Sequence, residues 1–165
     1  MSTLPYPAAP LDRTARILTR LTWTLAAVLS AIGAILIAAG VVSGGVVLLA
    51  VAVLDGVLCV VYRRLEPVAY RVEESGVTIE RRFAGPYSVP GHASLVPGAS
   101  LGLRTMGSGG LYGYLGRFRL AGAATGSVRA FVTDRSRTVV VDVDGGRVAV
   151  SPLDRDLLLA ELAGG

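Results

Sequence analysis

Glycine alternates with aromatic residues over Gly107-Ser108-Gly109-Gly110-Leu111-Tyr112-Gly113-Tyr114-Leu115-Gly116, and such a segment is open to two kinds of chemistry. Its backbone amides, unobstructed by side chains, could cradle an anion. It is not a nucleotide-binding P-loop, because neither the lysine nor a strong helix pattern follows. The other reading is a mobile loop or a bent strand with aromatic anchors. In a binding role, Tyr112 and Tyr114 would supply contact area, and Arg104, Arg117 and Arg119 would supply charge for an acidic partner. Phe118 alternates with those arginines and reads as core.

The remaining chemistry-bearing residues are scattered. Asp142 and Asp144 are alternate residues of one strand pattern, which makes an acid pair only when a histidine or further carboxylates join it. His92, in "VPGHASLVPG", has neither a Ser-His-Asp order nor a nucleophile elbow beside it and reads as a loop residue. A single histidine excludes a multi-histidine metal centre within one chain. A single cysteine, Cys59, excludes an internal disulfide and any CxxC site. No catalytic residue, metal or cofactor is therefore assigned, and an enzyme ranks last among the function classes.

The chain carries a net charge of +4 with a pI near 9.7, and all its basic residues are arginine. They are spread singly through strands and loops, so nucleic acid is not an expected partner and anionic lipid is the simpler one. Arg63-Arg64 and Arg81-Arg82, the latter pair followed by Phe83, are candidates for a membrane-surface contact. For Arg81 and Arg82 a solvated strand end is an equal reading, and Arg135 and Arg137 read as solvated.

These residues must be positioned by two very different regions. From Leu21 to Leu54 no charged residue occurs, while Arg13, Arg16 and Arg20 precede the stretch and Arg63 and Arg64 follow it. That is too long for one bilayer crossing of roughly 20 residues and fits two, joined at Gly40, Ser43, Gly44 and Gly45. The spans run roughly Leu21 to Ala39 and Val46 to Tyr62, with Trp23 and Tyr62 at the two borders. Arginines at both outer ends place both termini in the cytoplasm of a cell with this hairpin in its inner or plasma membrane. A cleaved signal peptide fits poorly, since the apolar stretch outruns an h-region and a second one follows at once.

Ala26, Ser30, Ala34 and Ala38 give the first span a small-residue face for close helix approach. Asp55 is the exception to the apolar pattern. An ionisable group near mid-span costs roughly 2.5–3.5 kcal/mol on insertion scales. A hydrogen bond from Ser30 to Asp55, or a neutral Asp55 in an oligomer interface, is expected, with a proton relay as the functional alternative. Cys59 acts here as a small hydrophobe.

After Tyr70 the pattern changes from helical to alternating. Val72, Val77 and Ile79 flank a Glu74-Ser75-Gly76 turn, and further strands are predicted over Gly116–Leu120, Val128–Thr133, Thr138–Val143 and Arg147–Val150. Asp144-Gly145-Gly146 is a hairpin signal. Ser151, Pro152 and Asp154 form a helix start, and Leu153, Leu157, Leu158 and Leu162 an apolar stripe that docks on the sheet. Many short strands closed by one amphipathic helix describe a pleckstrin-homology-like barrel.

The portion from Tyr70 to Ala163 resembles the bacterial PH-domain family of membrane-anchored proteins. The matching pieces are "YRVEESGVTIERR", "MGSGGLYGYLGRFRL", "VRAFVTD" and "VAVSPLDRDLLLAEL", in this order after a pair of apolar helices. The resemblance implies a mainly β, α+β fold: an antiparallel, partly open barrel with a C-terminal capping helix. The lysine-rich first hairpin of phosphoinositide binders has no counterpart, since Glu73-Glu74-Ser75-Gly76 is acidic. The expected organisation is a disordered cytoplasmic tail with prolines at 5, 7 and 10 (1–20), a transmembrane hairpin (21–62), a linker (63–69) and a PH-like domain (70–165). The expected function is a non-catalytic, membrane-anchored binding or scaffolding module that takes a protein partner, a second copy of itself or an anionic lipid surface. The alternative is an accessory or sensory subunit of a multi-span membrane complex.

Overall fold

The computed structural model describes residues 5–73, 76–144 and 146–164. Two long helices come first. Helix α1, Arg13–Ala38, starts where the Asp12 carboxylate accepts a hydrogen bond from the Ala15 amide at 2.7 Å, a side-chain N-cap. It therefore begins well before the apolar stretch at Leu21. The chain reverses at Gly40, whose φ of +86° suits glycine. Helix α2, Val42–Leu65, follows at once. Ser43, Gly44 and Gly45, expected in the turn, lie inside α2 instead.

The two helices meet through Thr19, Ala26 and Gly33 on α1 and Gly45, Ala52 and Cys59 on α2, all buried. Both sets recur every seventh residue. A Cβ on Gly45 would sit 2.6 Å from the Gly33 carbonyl oxygen and 2.5 Å from Ile37 Cγ1, so only glycine fits. The expected face of Ala26, Ser30, Ala34 and Ala38 is corrected, because only Ala26 is buried. A four-residue step rotates about 40° off axis each time, whereas a seven-residue step stays on the seam. The outer surfaces stay apolar. Both helices are long and apolar enough to cross a membrane, and only 11% and 17% of their most apolar windows are buried within the chain.

The rest is two packed sheets. Strands β1 (Tyr6–Pro7), β2 (Pro67–Glu73), β3 (Gly76–Arg81) and β4 (Tyr87–Pro90) form an antiparallel sheet in that order. Strands β5 (Ser94–Leu95), β6 (Ala99–Gly110), β7 (Gly113–Gly122), β8 (Ser127–Val132), β9 (Val139–Val143) and β10 (Gly146–Val150) form a second, ordered β5-β9-β10-β8-β7-β6. The sheets do not close into a barrel. One pair, β8 with β10, is parallel, because the chain crosses through a 3₁₀ turn at Arg135–Arg137 and through β9 before returning beside β8. The hairpin signals at Glu74-Ser75 and Gly145 fall outside the described residues, but the strands they join do pair, Glu73 with Gly76 and Val143 with Gly146.

Tyr70, Ile79, Val141, Val148 and Leu158 fill the space between the sheets. A second core on the outer face of the larger sheet contains Phe118, Val128, Val140 and Ala149, and Ala15 of α1 belongs to it. Helix α3, Arg155–Gly164, starts later than expected. Asp154 is the residue that caps it, accepting from the Leu157 amide at 3.1 Å. Ser151 is fully buried and bonded elsewhere. Leu158 is buried in the core, with Leu159 and Leu162 partly buried against it, whereas Leu153 and Leu157 are exposed.

Within the segment expected as a disordered tail, Tyr6–Pro7 forms β1 and α1 begins at Arg13. Tyr6 pairs with Tyr70 and is 4% exposed. Prolines that read as disorder are equally at home on an edge strand, which needs fewer amide donors.

Candidate functional site

The chain after β1 is strapped across the ends of β8 and β10 by buried hydroxyls. Thr133 Oγ1 donates to the Ala9 carbonyl at 2.6 Å, the Thr133 amide donates to Ser151 Oγ at 2.8 Å, and the Ala9 amide donates to the Ser151 carbonyl at 2.8 Å. Tyr70 donates its hydroxyl to the Phe131 carbonyl at 2.7 Å beside them. Burial pushes the Tyr70 phenol up to about 12, partly offset by its hydrogen bond with Ser151.

The strap ends at Asp12, which joins helix and domain. Beyond capping α1, Asp12 accepts from the Arg135 amide at 3.3 Å and from the Tyr114 hydroxyl at 3.4 Å. The Arg135 guanidinium lies 5.1 Å from the Tyr114 ring centroid. Burial, followed by the Asp12 carboxylate, pushes the Tyr114 phenol up to about 12, against the opposing charge of Arg135. Neither Asp12 nor the strap was visible as a site residue. An Asp three residues before Ala15 is a usable N-cap signal, but it lies nine residues before the apolar stretch at Leu21, where no apolar run marks a helix start.

The glycine-aromatic segment is a hairpin, with β6 and β7 joined at Leu111-Tyr112. Its tip docks on α1. The Tyr112 amide donates to Thr19 Oγ1 at 3.1 Å, and Trp23 donates its indole N–H to the Tyr112 hydroxyl at 2.8 Å. Tyr112 holds a φ of +53°, and a Cβ on Gly110 would meet Leu18 Cδ2 at 2.9 Å. The glycines thus let two strands and a helix converge. Tyr112 and Tyr114 are 8% and 4% exposed, so their contact area is spent on this chain's own helix and N-terminal strap.

The five residues grouped from sequence separate. Arg104 turns back to donate to the Gly107 carbonyl at 3.0 Å. Arg117 and Arg119 are exposed on the other face of β7, the face that carries Leu115 into the space between the sheets. Arg117 is directly opposite Arg129 of β8. Arg129 was not singled out from sequence, because only strand register brings it there.

At the far end of α2, Arg63 and Arg64 are exposed in its last turn, where cations favour the helix dipole. The β3–β4 connection is tied to that turn. The Arg82 amide donates to the Glu66 carbonyl at 2.9 Å, the Phe83 amide donates to the Arg64 carbonyl at 3.3 Å, and Arg82 pairs with Glu66 at 2.8 Å. Arg81 donates to the Gly85 carbonyl at 2.7 Å. Phe83, 60% exposed, is thus held beside Arg64.

The other candidates are placed apart. Ser30 donates to the Ala26 carbonyl at 2.8 Å, which corrects the expected Ser30–Asp55 bond. The reversal at Gly40 rather than Ser43 changes the depth matching, so that in the register pairing Gly33 with Gly45, Asp55 falls at the level of Trp23. Asp142 pairs with Arg147 at 3.2 Å, and Asp144 accepts from the His92 amide at 3.3 Å. Among the described residues no group of three or more His, Cys, Asp or Glu side chains is placed to hold a metal ion.

A domain of two facing sheets closed by a C-terminal helix has the architecture of a PH-like module, here docked on a pair of long apolar helices. The family model described as Bacterial PH domain matches residues 68–164. That is more than half of the chain, which therefore belongs to the bacterial PH domain family. No curated protein and no solved structure matches it.

Proposed function

We propose that this chain is a membrane-anchored, non-catalytic binding module, its PH-like domain held at the cytoplasmic face by the α1–α2 hairpin. The observation that carries the reading is the docking of α1 on the domain through Thr19, Trp23 and Tyr112, with Ala15 fully buried. A domain fixed in this way has a set orientation to whatever surrounds the helices. The apolar outer faces of α1 and α2, including Leu21, Ile35, Val53 and Leu54, suit lipid. Arg13, Arg16, Arg20, Arg63 and Arg64 all lie at the domain end of the hairpin, which favours the cytoplasmic side.

Alkaline carbonate extraction of native membranes tests the anchor, and protease protection of a tag after Leu162 in intact cells tests the side. The chain is expected in the pellet with the tag protected; a soluble chain or a digested tag overturns the reading.

Asp55 favours a second, compatible reading as a subunit of a larger complex. It is half-buried, and among the described residues it has no hydrogen bond or ion pair. A carboxyl among apolar helices calls for a partner from outside the chain. Asp55→Asn would then weaken co-purification of a membrane partner or a second copy, while full retention by Asp55→Leu rules this out.

A further inference from the structure

Between the end of α2, the β4 edge and the inner face of β6–β8 lies a groove of about 400 Å³. Its apolar walls are Tyr62 and Leu65 of α2 with Met106, Leu115 and Phe131 of the larger sheet. Arg81, Arg117 and Arg129 also line it. A second recess of about 300 Å³ shares Tyr87, Arg117 and Arg129 and extends to Arg147. None of the residues lining either one is acidic.

The arginines are arranged at a cost. Arg117 and Arg129 are direct cross-strand partners, and like charges so placed repel. Arg129 is held in position by Tyr87, lying 5.1 Å from the ring centroid and donating to its hydroxyl. Arg147 is occupied by Asp142 and by the Thr125 carbonyl at 2.5 Å. The Arg117 guanidinium makes no hydrogen bond or ion pair among the described residues. Two arginines opposite each other across the β7–β8 pair and lining one groove, Arg129 fixed and Arg117 uncommitted, are well suited to hold an anion that bridges them.

We propose that this groove binds one anionic phospholipid from the adjoining leaflet, its phosphate between Arg117 and Arg129 and its acyl chains along α2. The inference rests on the hairpin being membrane-embedded and names a ligand for the module. The last turn of α2 forms one wall, so the groove opens where a headgroup layer would lie. Leu58 and Val61, one turn further in, are exposed for chains to follow. A choline headgroup would bring a cation among arginines with no carboxylate to meet it, so an acidic or neutral-polyol headgroup is favoured. The site lies at the Tyr87 end of the β3–β4 pair, away from the acidic Glu73–Gly76 end.

The test uses the full chain purified in mild detergent, with bound lipid counted by native mass spectrometry. Dioleoyl phosphatidylglycerol is expected to bind about tenfold more tightly than dioleoyl phosphatidylcholine, because the two share the phosphate and only the latter adds a cation among the arginines. Arg117→Gln with Arg129→Gln is expected to erase that preference, and Arg63→Gln with Arg64→Gln to keep it. Because Arg129 also holds Tyr87, Arg117→Gln alone is the control for folding; it should weaken phosphatidylglycerol several-fold with an unchanged melting temperature. Equal binding of the two lipids, or a preference untouched by the Arg117 variants, overturns the proposal. Displacement of phosphatidylglycerol by excess inorganic phosphate also overturns it, in favour of a soluble-anion site. A chain that leaves the membrane in carbonate defeats the anchor instead, whereas a chain that stays in the pellet without lipid preference defeats only the groove.

Discussion

Trp23 of the first long helix donates its indole proton to the hydroxyl of Tyr112, 89 residues later, at 2.8 Å. This bond and the Thr19–Tyr112 contact fix the β6–β7 hairpin to α1, so a tilt of the helix moves the sheet that carries Arg117. Trp23 is the only tryptophan, so the joint has its own spectroscopic reporter. We predict that Tyr112→Phe shifts Trp23 emission and lowers domain stability by about 1 kcal/mol, the usual net value of a hydrogen bond. An unchanged spectrum would show that the contact does not persist in solution.

The glycine pair between the helices makes a sharper prediction. Gly45→Leu places a branched side chain where a Cβ alone would lie 2.6 Å from the Gly33 oxygen. Overpacking of this kind costs about 1–3 kcal/mol, so the variant should melt earlier in detergent and become more open to protease at the helix reversal. Ser30→Ala should change neither, since Ser30 bonds only to its own helix. Equal effects from the two substitutions would contradict the seven-residue seam.

The two long helices, strands β2, β3 and β7 to β10 and the terminal helix were legible because each has a local signal: a charge-free run, alternation, or a leucine-rich segment after a cap; β1, β4 and β5, short or proline-bearing, and the glycine-rich β6 were not. What escaped depended on long-range register. The stripe of Ala26, Ser30, Ala34 and Ala38 repeats as evenly as Thr19, Ala26 and Gly33, but its four-residue step walks around the helix, whereas the seven-residue step stays on the contact face. Tyr112 meets α1 through Thr19 and Trp23 and Tyr114 meets Asp12 and Arg135, contacts that only the tertiary fold supplies. Arg117 was legible as a charged strand residue. Its cross-strand neighbour Arg129 lies 12 residues away and meets it only through the β7–β8 register. Ser151 resembled a helix cap by its neighbours, yet burial assigned it to Thr133 and left capping to Asp154.

Asp12 serves three structural partners at once, and its removal should be felt in all of them. Asp12→Ala takes away the α1 cap, worth about 1 kcal/mol, and the acceptor for Tyr114 and for the Arg135 amide. We predict faster amide exchange at Ala15 and Arg135 together, with little change at Asp154, which caps a different helix. Asp12→Asn keeps a capping oxygen and should retain most of the protection. If loss at Ala15 occurred without loss at Arg135, the joint would not act as a unit.

Alkali should loosen the domain through two phenols. Tyr70 and Tyr114 each titrate near 12 in the folded chain against an ordinary value of 10.0. Below pH 10 both are protonated whether the chain is folded or not, and their stabilising contribution is fully present. Between about 10 and 12 the unfolded chain releases these protons while the folded chain retains them, so stability falls as pH rises through that window. For Tyr70, fully buried, a shift of this size corresponds to on the order of 3 kcal/mol. Absorbance titration of phenolate in the native protein should show a late step that Tyr70→Phe and Tyr114→Phe each reduce. The melting temperature of the double variant should decline less between pH 10 and 12 than that of the parent. A parent with no late step, or a double variant with the same alkaline decline, would show that these hydroxyls are more open to water than their burial implies.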